Sequence, residues 1–237
     1  MKKILIATLC LFLAIGGTQA QNMKTKQLKT NNNLRVKSDK TMSTCCAKKD
    51  AIALPHPIMG LDMPLGKVLV ARQSIREFKP EMLSMEQLSS LLWCAYGLNR
   101  PDKKMRVVPS AINCQEYDIY LLNADGIYLY DAAKNNLTLA LQGDHRKEVG
   151  KQDFVAEAPV VLLLVANYDR MTKFQNTEDR DFYAGIDCGY ISQNIYLFCA
   201  ANGMATVACG SVNRDNLQKA LKISNGKIML AHPVGIQ

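Results

Sequence analysis

An α+β fold is predicted by this sequence, on three observations. Strand-like and helix-like segments are interspersed in it without the regular βαβ repeat of a doubly wound sheet. The run from Pro159 to Ala166 is apolar throughout and rich in Val and Leu, as a central strand buried on both faces would be. Ser84 and Gln87 form a capping-box pattern ahead of a stretch in which Leu88, Leu91, Leu92 and Ala95 recur at helical spacing.

In chain order, Pro64 suits the first turn of a short helix running toward Val70, although Gly66, Val68 and Val70 weaken its propensity. The capping-box helix spans about three turns and stops at Gly97, with Trp93 reading as core rather than as a platform for substrate. Tyr117 to Leu122 and Ile127 to Tyr130 flank Asn123-Ala124-Asp125-Gly126, where Asp-Gly predicts a hairpin turn with positive φ angles. After the central strand, Tyr183 to Ala201 has apolar residues at helical spacing and is closed by Gly203. Met204 to Ala208 and Ile228 to Ala231 read as strands, with a helix from Arg214 to Leu221 between them. No internal repeat is present, and the absence of a G-x-G-x-x-G loop argues against a Rossmann dinucleotide domain.

Three regions are expected along the chain. Residues 1–20 read as a secretory signal peptide: Lys2 and Lys3 precede an apolar run from Ile4 to Ile15, and Thr18-Gln19-Ala20 offers a small-residue cleavage site before Gln21. That apolar run falls short of the ~20 residues that span a bilayer, so the expectation is export to the periplasm or beyond, with no stable membrane anchor. Residues 21–50 read as a flexible basic linker, with too few apolar residues to offset the entropy of ordering. Residues 51–237 are long enough for one domain with a substantial core.

The formal charge of +8 loses its meaning as a nucleic-acid signature once it is divided along the chain. Lys2 and Lys3 account for two charges, and residues 21–50 add the excess of eight basic over two acidic residues. Residues 51–237 then hold 19 of each sign, so the domain is neutral and nucleic-acid binding is not expected. Of the eight cysteines, Cys10 leaves with the signal, while Cys94, Cys199 and Cys209 sit in apolar contexts that suit buried thiols. Cys114 and Cys188 could be packed or exposed, and adjacent Cys45-Cys46 read either as inert linker residues or as a redox-active or intermolecular pair. With His56, His145 and His232 widely spaced and no C-x-x-C, a metal site is not expected.

The chemistry-bearing segments are ARQSIREF, Ala71 to Phe78, and VPSAINCQ, Val108 to Gln115. If the first is extended, Arg72, Ser74 and Arg76 leave one face and converge on a single anionic group. Two guanidinium forks and a hydroxyl suit a phosphate, because each arginine can donate paired charge-assisted hydrogen bonds. The two segments resemble the R-x-S-x-R-x-F and P-S-[AS]-x-N-x-Q motifs of the nitroreductase family of FMN-dependent oxidoreductases. The likeness covers about residues 51–237 and includes LLWCAYGLNR, QDFVAEAPV, DCGYISQN and GMATVACGSV, in family order. Its wording is nearest to the SagB-like branch, whose better-known members oxidise azoline rings in modified peptides.

The resemblance implies a central, mainly antiparallel sheet flanked by helices, and a homodimer with FMN at the subunit interface. Carried over residue by residue, it implies that Arg72, Ser74 and Arg76 hold the FMN phosphate and ribityl chain, with Gln73 near the pyrimidine edge. Ser110 and Asn113 would come from the partner chain, Cys209-Gly210 would present a backbone N–H to flavin N5, and Gln152 is a further flavin candidate. Each has a plainer reading: surface ion pairs for Arg72 and Arg76, a cap for Ser74, a loop-stabilising amide for Asn113, a solvated side chain for Gln152, a turn for Gly210. The implied reaction is ping-pong electron or hydride transfer to or from a small organic substrate, with NADH or NADPH as a candidate donor, although both are cytoplasmic. No catalytic side chain is identified, and no Ser-His-Asp or Cys-His constellation competes. The sequence departs from the family in lacking a basic pair near Pro233 to Gln237 and in placing Cys209 where many relatives have an acid. A non-catalytic flavin-binding or scaffold protein is therefore the alternative reading.

Overall fold

A computed structural model of the protein describes residues 51–58 and 62–237; the expected signal segment, 1–20, and the basic linker, 21–50, with Cys45-Cys46, lie outside the described residues. β1 (Ala51–Ala53) leads to α1 (Leu65–Ala71), α2 (Met85–Tyr96) and a ribbon of β2 (Leu98–Arg100) and β3 (Met105–Arg106). A meander follows, of β4 (Tyr117–Leu122), β5 (Gly126–Asp131) and β6 (Asn136–Gln142). Two single helical turns, α3 (Arg146–Val149) and α4 (Phe154–Glu157), precede β7 (Val160–Asn167). The long α5 (Thr177–Ala201), β8 (Met204–Thr206), α6 (Arg214–Ala220) and β9 (Gly226–Ile236) complete it.

Seven strands form one sheet in the order β1-β6-β5-β4-β7-β9-β8, and every neighbouring pair is antiparallel. The class is thus α+β, with a central antiparallel sheet flanked by helices. β7 shows why its sequence lacks alternation. Val160, Leu162, Leu164 and Ala166 join the core shared with α2 and α5, while Val161, Leu163 and Val165 join a second core with α3, α4 and α6. An antiparallel strand often has one wet face; this one has none, so period two vanishes from it.

The helices begin where their caps allow. Ser84 and Gln87 close the expected capping box on α2, and Gly97 ends it. Asn176 caps α5 by accepting from the Asp179 N–H, so that helix begins six residues before its apolar pattern does. Gly203, at φ +62°, turns the chain out of α5 into β8. Trp93 is half-buried rather than core: its indole N–H donates to Leu98 O at 3.1 Å, and its ring lines a pocket of about 440 Å³ with Val68, Cys94, Val107 and Phe198.

The β4–β5 hairpin forms as expected, but by different turn chemistry. Neither Asp125 nor Gly126 has a positive φ. Asn123 Oδ1 accepts from the N–H groups of Asp125, at 2.9 Å, and Gly126, at 3.1 Å, so an Asx turn replaces the strained conformers. Gly126 is needed instead for close approach, since a Cβ there would lie 2.7 Å from Leu141 O. β1 and β6 are additional to the expected strands. β9 is longer than Ile228 to Ala231, running on through Pro233 to pair with β8 from Val234.

Asn123→Ala should lower unfolding stability by about 1–2 kcal/mol through loss of two hydrogen bonds. Gly126→Ala should cost more, through its clash with β6; denaturant midpoints of the two variants give the ranking.

Candidate functional site

The segment after α1 has no regular secondary structure, but its backbone is pinned at two places. Ile75 N–H donates to Thr206 O of β8 at 3.0 Å, and Lys79 N–H to Ile236 O of β9 at 2.9 Å. Between and beside these anchors, Arg72 and Ser74 turn toward the region where α5 meets the exit of β8. The Arg72 guanidinium lies 5.3 Å from the ring centroid of Tyr196, and Ser74 Oγ is 2.9 Å from Tyr196 Oη. Arg76 diverges from them to lie 6.0 Å from the Phe154 ring centroid, on the Cys209 side. Neither guanidinium group makes an ion pair or donates a hydrogen bond to protein among the described residues, so the surface ion-pair reading is not realised.

The Cys209-Gly210 turn completes this patch. Cys209 N–H donates to Ala231 O at 2.8 Å, so of the expected Cys209-Gly210 pair the backbone donor left for a ligand is that of Gly210. The Cys209 side chain is buried in the second core, and burial pushes its thiol pKa up against the opposing charge of Arg76. A thiolate nucleophile is disfavoured there. Arg214 clamps the turn from behind, donating to Gly210 O at 3.0 Å, Ile228 O at 2.7 Å and Met229 O at 3.1 Å. Gln152 is exposed, in the loop that the Gly150–Val212 bridge holds beside this turn; Gln73 is exposed too.

Ser110 and Asn113 are elsewhere. Their loop is tied to α5 by Ala111 N–H, which donates to Asp187 Oδ2 at 2.8 Å. Asp187 and Tyr196 are nine residues apart on that helix, about 13 Å along its axis. Ser110 Oγ accepts from Gln115 N–H at 3.0 Å and Asn113 Oδ1 from Gln115 Nε2 at 3.1 Å, so in this chain both stabilise their own loop. Ile112, Asn113 and Gln115 all have positive φ, at 45°, 57° and 49°. For a β-branched residue such as Ile112 that is strained, and its side chain is 55% exposed.

Beneath this loop lies a buried acid pair that sequence spacing did not reveal. Glu116 is fully buried, with both carboxyl oxygens unpartnered among the conventional hydrogen bonds, and it faces Asp187. Burial foremost, then the Asp187 charge, pushes the Glu116 pKa up to about 7, against Arg170. Burial also raises Asp187, so the pair retains a proton. Tyr196 and His232 were also missed. His232 is buried between Ser192 Oγ, at 2.8 Å, and Thr206 Oγ1, at 3.2 Å, and burial pushes its pKa down to about 3, leaving it neutral. Ser192 and Tyr196 stand at i and i+4 on α5, a spacing that marks one helix face but not what it touches.

The comparisons with known proteins agree with this architecture. The Nitroreductase family profile matches residues 69–236. A nitroreductase-family protein of Methanocaldococcus jannaschii is 32% identical over 185 residues, covering 73% of this chain and 91% of its own. The crystal structure of a nitroreductase-family protein from Ralstonia eutropha superposes with a TM-score of 0.75 at 34% identity, covering 79% of this chain and 90% of that one. An FMN complex of another from Desulfovibrio desulfuricans has a TM-score of 0.53 at 19% identity, covering 73% of this chain and 86% of that one, a likeness of fold alone.

The acid pair makes stability depend on pH. A carboxyl whose folded pKa is raised contributes stability below its unfolded value and loses it as pH rises through the folded value, here between about 4.5 and 7. Glu116→Gln, which mimics the protonated acid, should therefore gain in Tm relative to the unsubstituted protein as pH rises across that window. A constant difference in Tm would show that Glu116 does not titrate there.

Proposed function

The chain belongs to the nitroreductase family, and on that premise we propose that it is an FMN-dependent oxidoreductase acting as a homodimer outside the cytoplasm. One observation carries the cofactor assignment: the Arg72 and Arg76 guanidinium groups, on either side of Ser74 in the sequence, use none of their donors on the protein among the described residues. Arginine at the rim of a neutral domain commonly finds a carboxylate; two left without one fit a dianionic phosphate. The FMN bound by the Desulfovibrio neighbour is compatible with this, but the assignment here rests on the arginines.

Bound at this patch, FMN would supply hydride or electron transfer at its N5 position. The protein's part is binding and placement. Arg72, Ser74 and Arg76 hold the phosphate end, Gln73 and Gln152 are available to the ring edge, and Gly210 N–H is the donor for N5. Cys209 packs below, and Arg214 fixes the turn. Among the described residues nothing crowds Gly210, where a Cβ would find only Leu230 Cδ2, at 3.9 Å.

The homodimer is supported by the distance of Ser110 and Asn113 from the arginines, which puts them away from this chain's own phosphate patch. It is supported also by a stripe on α5: Phe182, Ile186 and Tyr190 are 63%, 40% and 45% exposed, beside Gly185 and Gly189, where a Cβ would meet nothing. Such a stripe is costly to leave in water. Export is supported by the charged and apolar pattern of residues 1–20, and it favours an electron donor other than NADH or NADPH. The sequence stretches noted above support placement in the SagB-like branch, with azoline oxidation the narrower reading within it.

The purified protein should show the absorption of oxidised flavin. Arg72→Ala and Arg76→Ala should each weaken FMN binding at least tenfold, since a lost charged partner costs about 1.5–3 kcal/mol. Gly210→Val should keep its Tm yet lose flavin. Undiminished FMN affinity in both arginine variants would remove the phosphate assignment.

Mixing two inactive variants, Arg72→Ala and Asn113→Ala, should restore activity in heterodimers. An active, flavin-loaded monomer in sedimentation would overturn the shared site.

A further inference from the structure

Tyr196 sits where three parts of the patch meet, and its hydroxyl has a defined role there. Ala208 N–H lies 2.8 Å from Tyr196 Oη, and an amide can only donate, so the phenol oxygen accepts from it. The same oxygen is 2.9 Å from Ser74 Oγ. A phenol has one proton, and Ser74 Oγ is its sole acceptor within hydrogen-bonding distance among the described residues. Either oxygen can donate in this pair; with the phenol donating, its one proton is satisfied by the serine, and the serine's own proton is left to point elsewhere. Ser74 makes no other hydrogen bond in the described structure, and the unpaired guanidinium groups of Arg72 and Arg76 stand on either side of it in sequence.

The ring cannot readily turn away. His232 packs against it edge-on, with centroids 5.4 Å apart and planes at 82°, and the Arg72 guanidinium lies 5.3 Å from its centroid. His232 is itself fixed by Ser192 and Thr206 at its two ring nitrogens. Packing thus holds the phenol in place, and the Ala208 N–H occupies one lone pair of its oxygen.

We infer that Tyr196 is a positioning residue that orients the Ser74 hydroxyl as a donor to the phosphate between Arg72 and Arg76, and so sets the preference for FMN over riboflavin. This rests on the FMN reading above. A serine free to rotate could present its lone pairs to the anion; one that already accepts from Tyr196 presents its proton, in a charge-assisted bond.

The test measures the affinity of the apoprotein for FMN and for riboflavin, by quenching of flavin fluorescence, in a cycle of Ser74→Ala and Tyr196→Phe. Each single variant should weaken FMN binding about tenfold, the size expected for one charge-assisted hydrogen bond, and riboflavin binding less than twofold. The double variant should be no weaker than Ser74→Ala alone, because both substitutions remove the same donor. If Tyr196 acts only by holding Ala208, its loss will add to that of Ser74→Ala and will be equal for the two flavins; either result overturns the inference. Ser74→Ala decides it independently should Tyr196→Phe not fold, since an unchanged FMN-to-riboflavin ratio in that variant also overturns it. Failure of the unsubstituted protein to bind FMN would instead overturn the cofactor reading itself.

Discussion

Burial of β7 on both faces is the constraint from which the rest of the structure follows. A strand with no solvent face must be covered twice, and its alternate residues recruit different partners: α2 and α5 on one side, α3, α4 and α6 on the other. Its edges are covered as well, by β4 over six residues and β9 over eight. Three segments of the patch meet at one corner of the sheet. The exit of β8, the bulged middle of β9 and the segment after α1 come together there because all are tied, directly or at one remove, to this strand.

α5 links that corner to the opposite loop. Opposite faces of the helix carry Asp187 to Ala111 N–H and, about two and a half turns on, Tyr196 to Ser74 and Ala208. A single rigid rod therefore sets the spacing between the arginine patch and the strained loop. The strain at Ile112 is held from below by Asp187, whose own burial beside Glu116 is tolerable because the two acids retain a proton between them. Strain and buried charge coincide at the loop that the family pattern assigns to the partner's cofactor, and neither is explained by the packing of this chain alone.

Much of this was legible in the sequence where local chemistry decides. The capping box of α2, the apolar run of β7 and the helix from Arg214 carry their signals within a few residues. The segments around Arg72 and Ser110 were legible as motifs. Other elements left a trace that a stronger signal masked: Leu137, Leu139 and Leu141 alternate as a half-buried strand should, yet Asn and Gln flank them, and Pro233 hid the continuation of β9, because proline cannot donate to a ladder. The first turn and a half of α5 is polar, so only the Asn176 cap announced it. What could not be read were contacts made at a distance. Ser74 and Tyr196 are 122 residues apart, and nothing in either neighbourhood names the other. The Asn123 turn failed for the opposite reason, since Asp-Gly supplied so strong a local rule that the side chain two residues earlier went unweighed.

The strand order has a kinetic consequence. β7 is made after β4 but has its second neighbour in β9, whose eleven residues begin about sixty positions later. Until residues 226–236 leave the ribosome, the most apolar strand of the chain keeps one open edge, Cys209 has no Ala231 to bridge to, and Lys79 has no carbonyl at Ile236. The sheet, and with it the arginine patch, closes only once β9 has emerged. An exposed apolar edge of that kind invites chaperone binding.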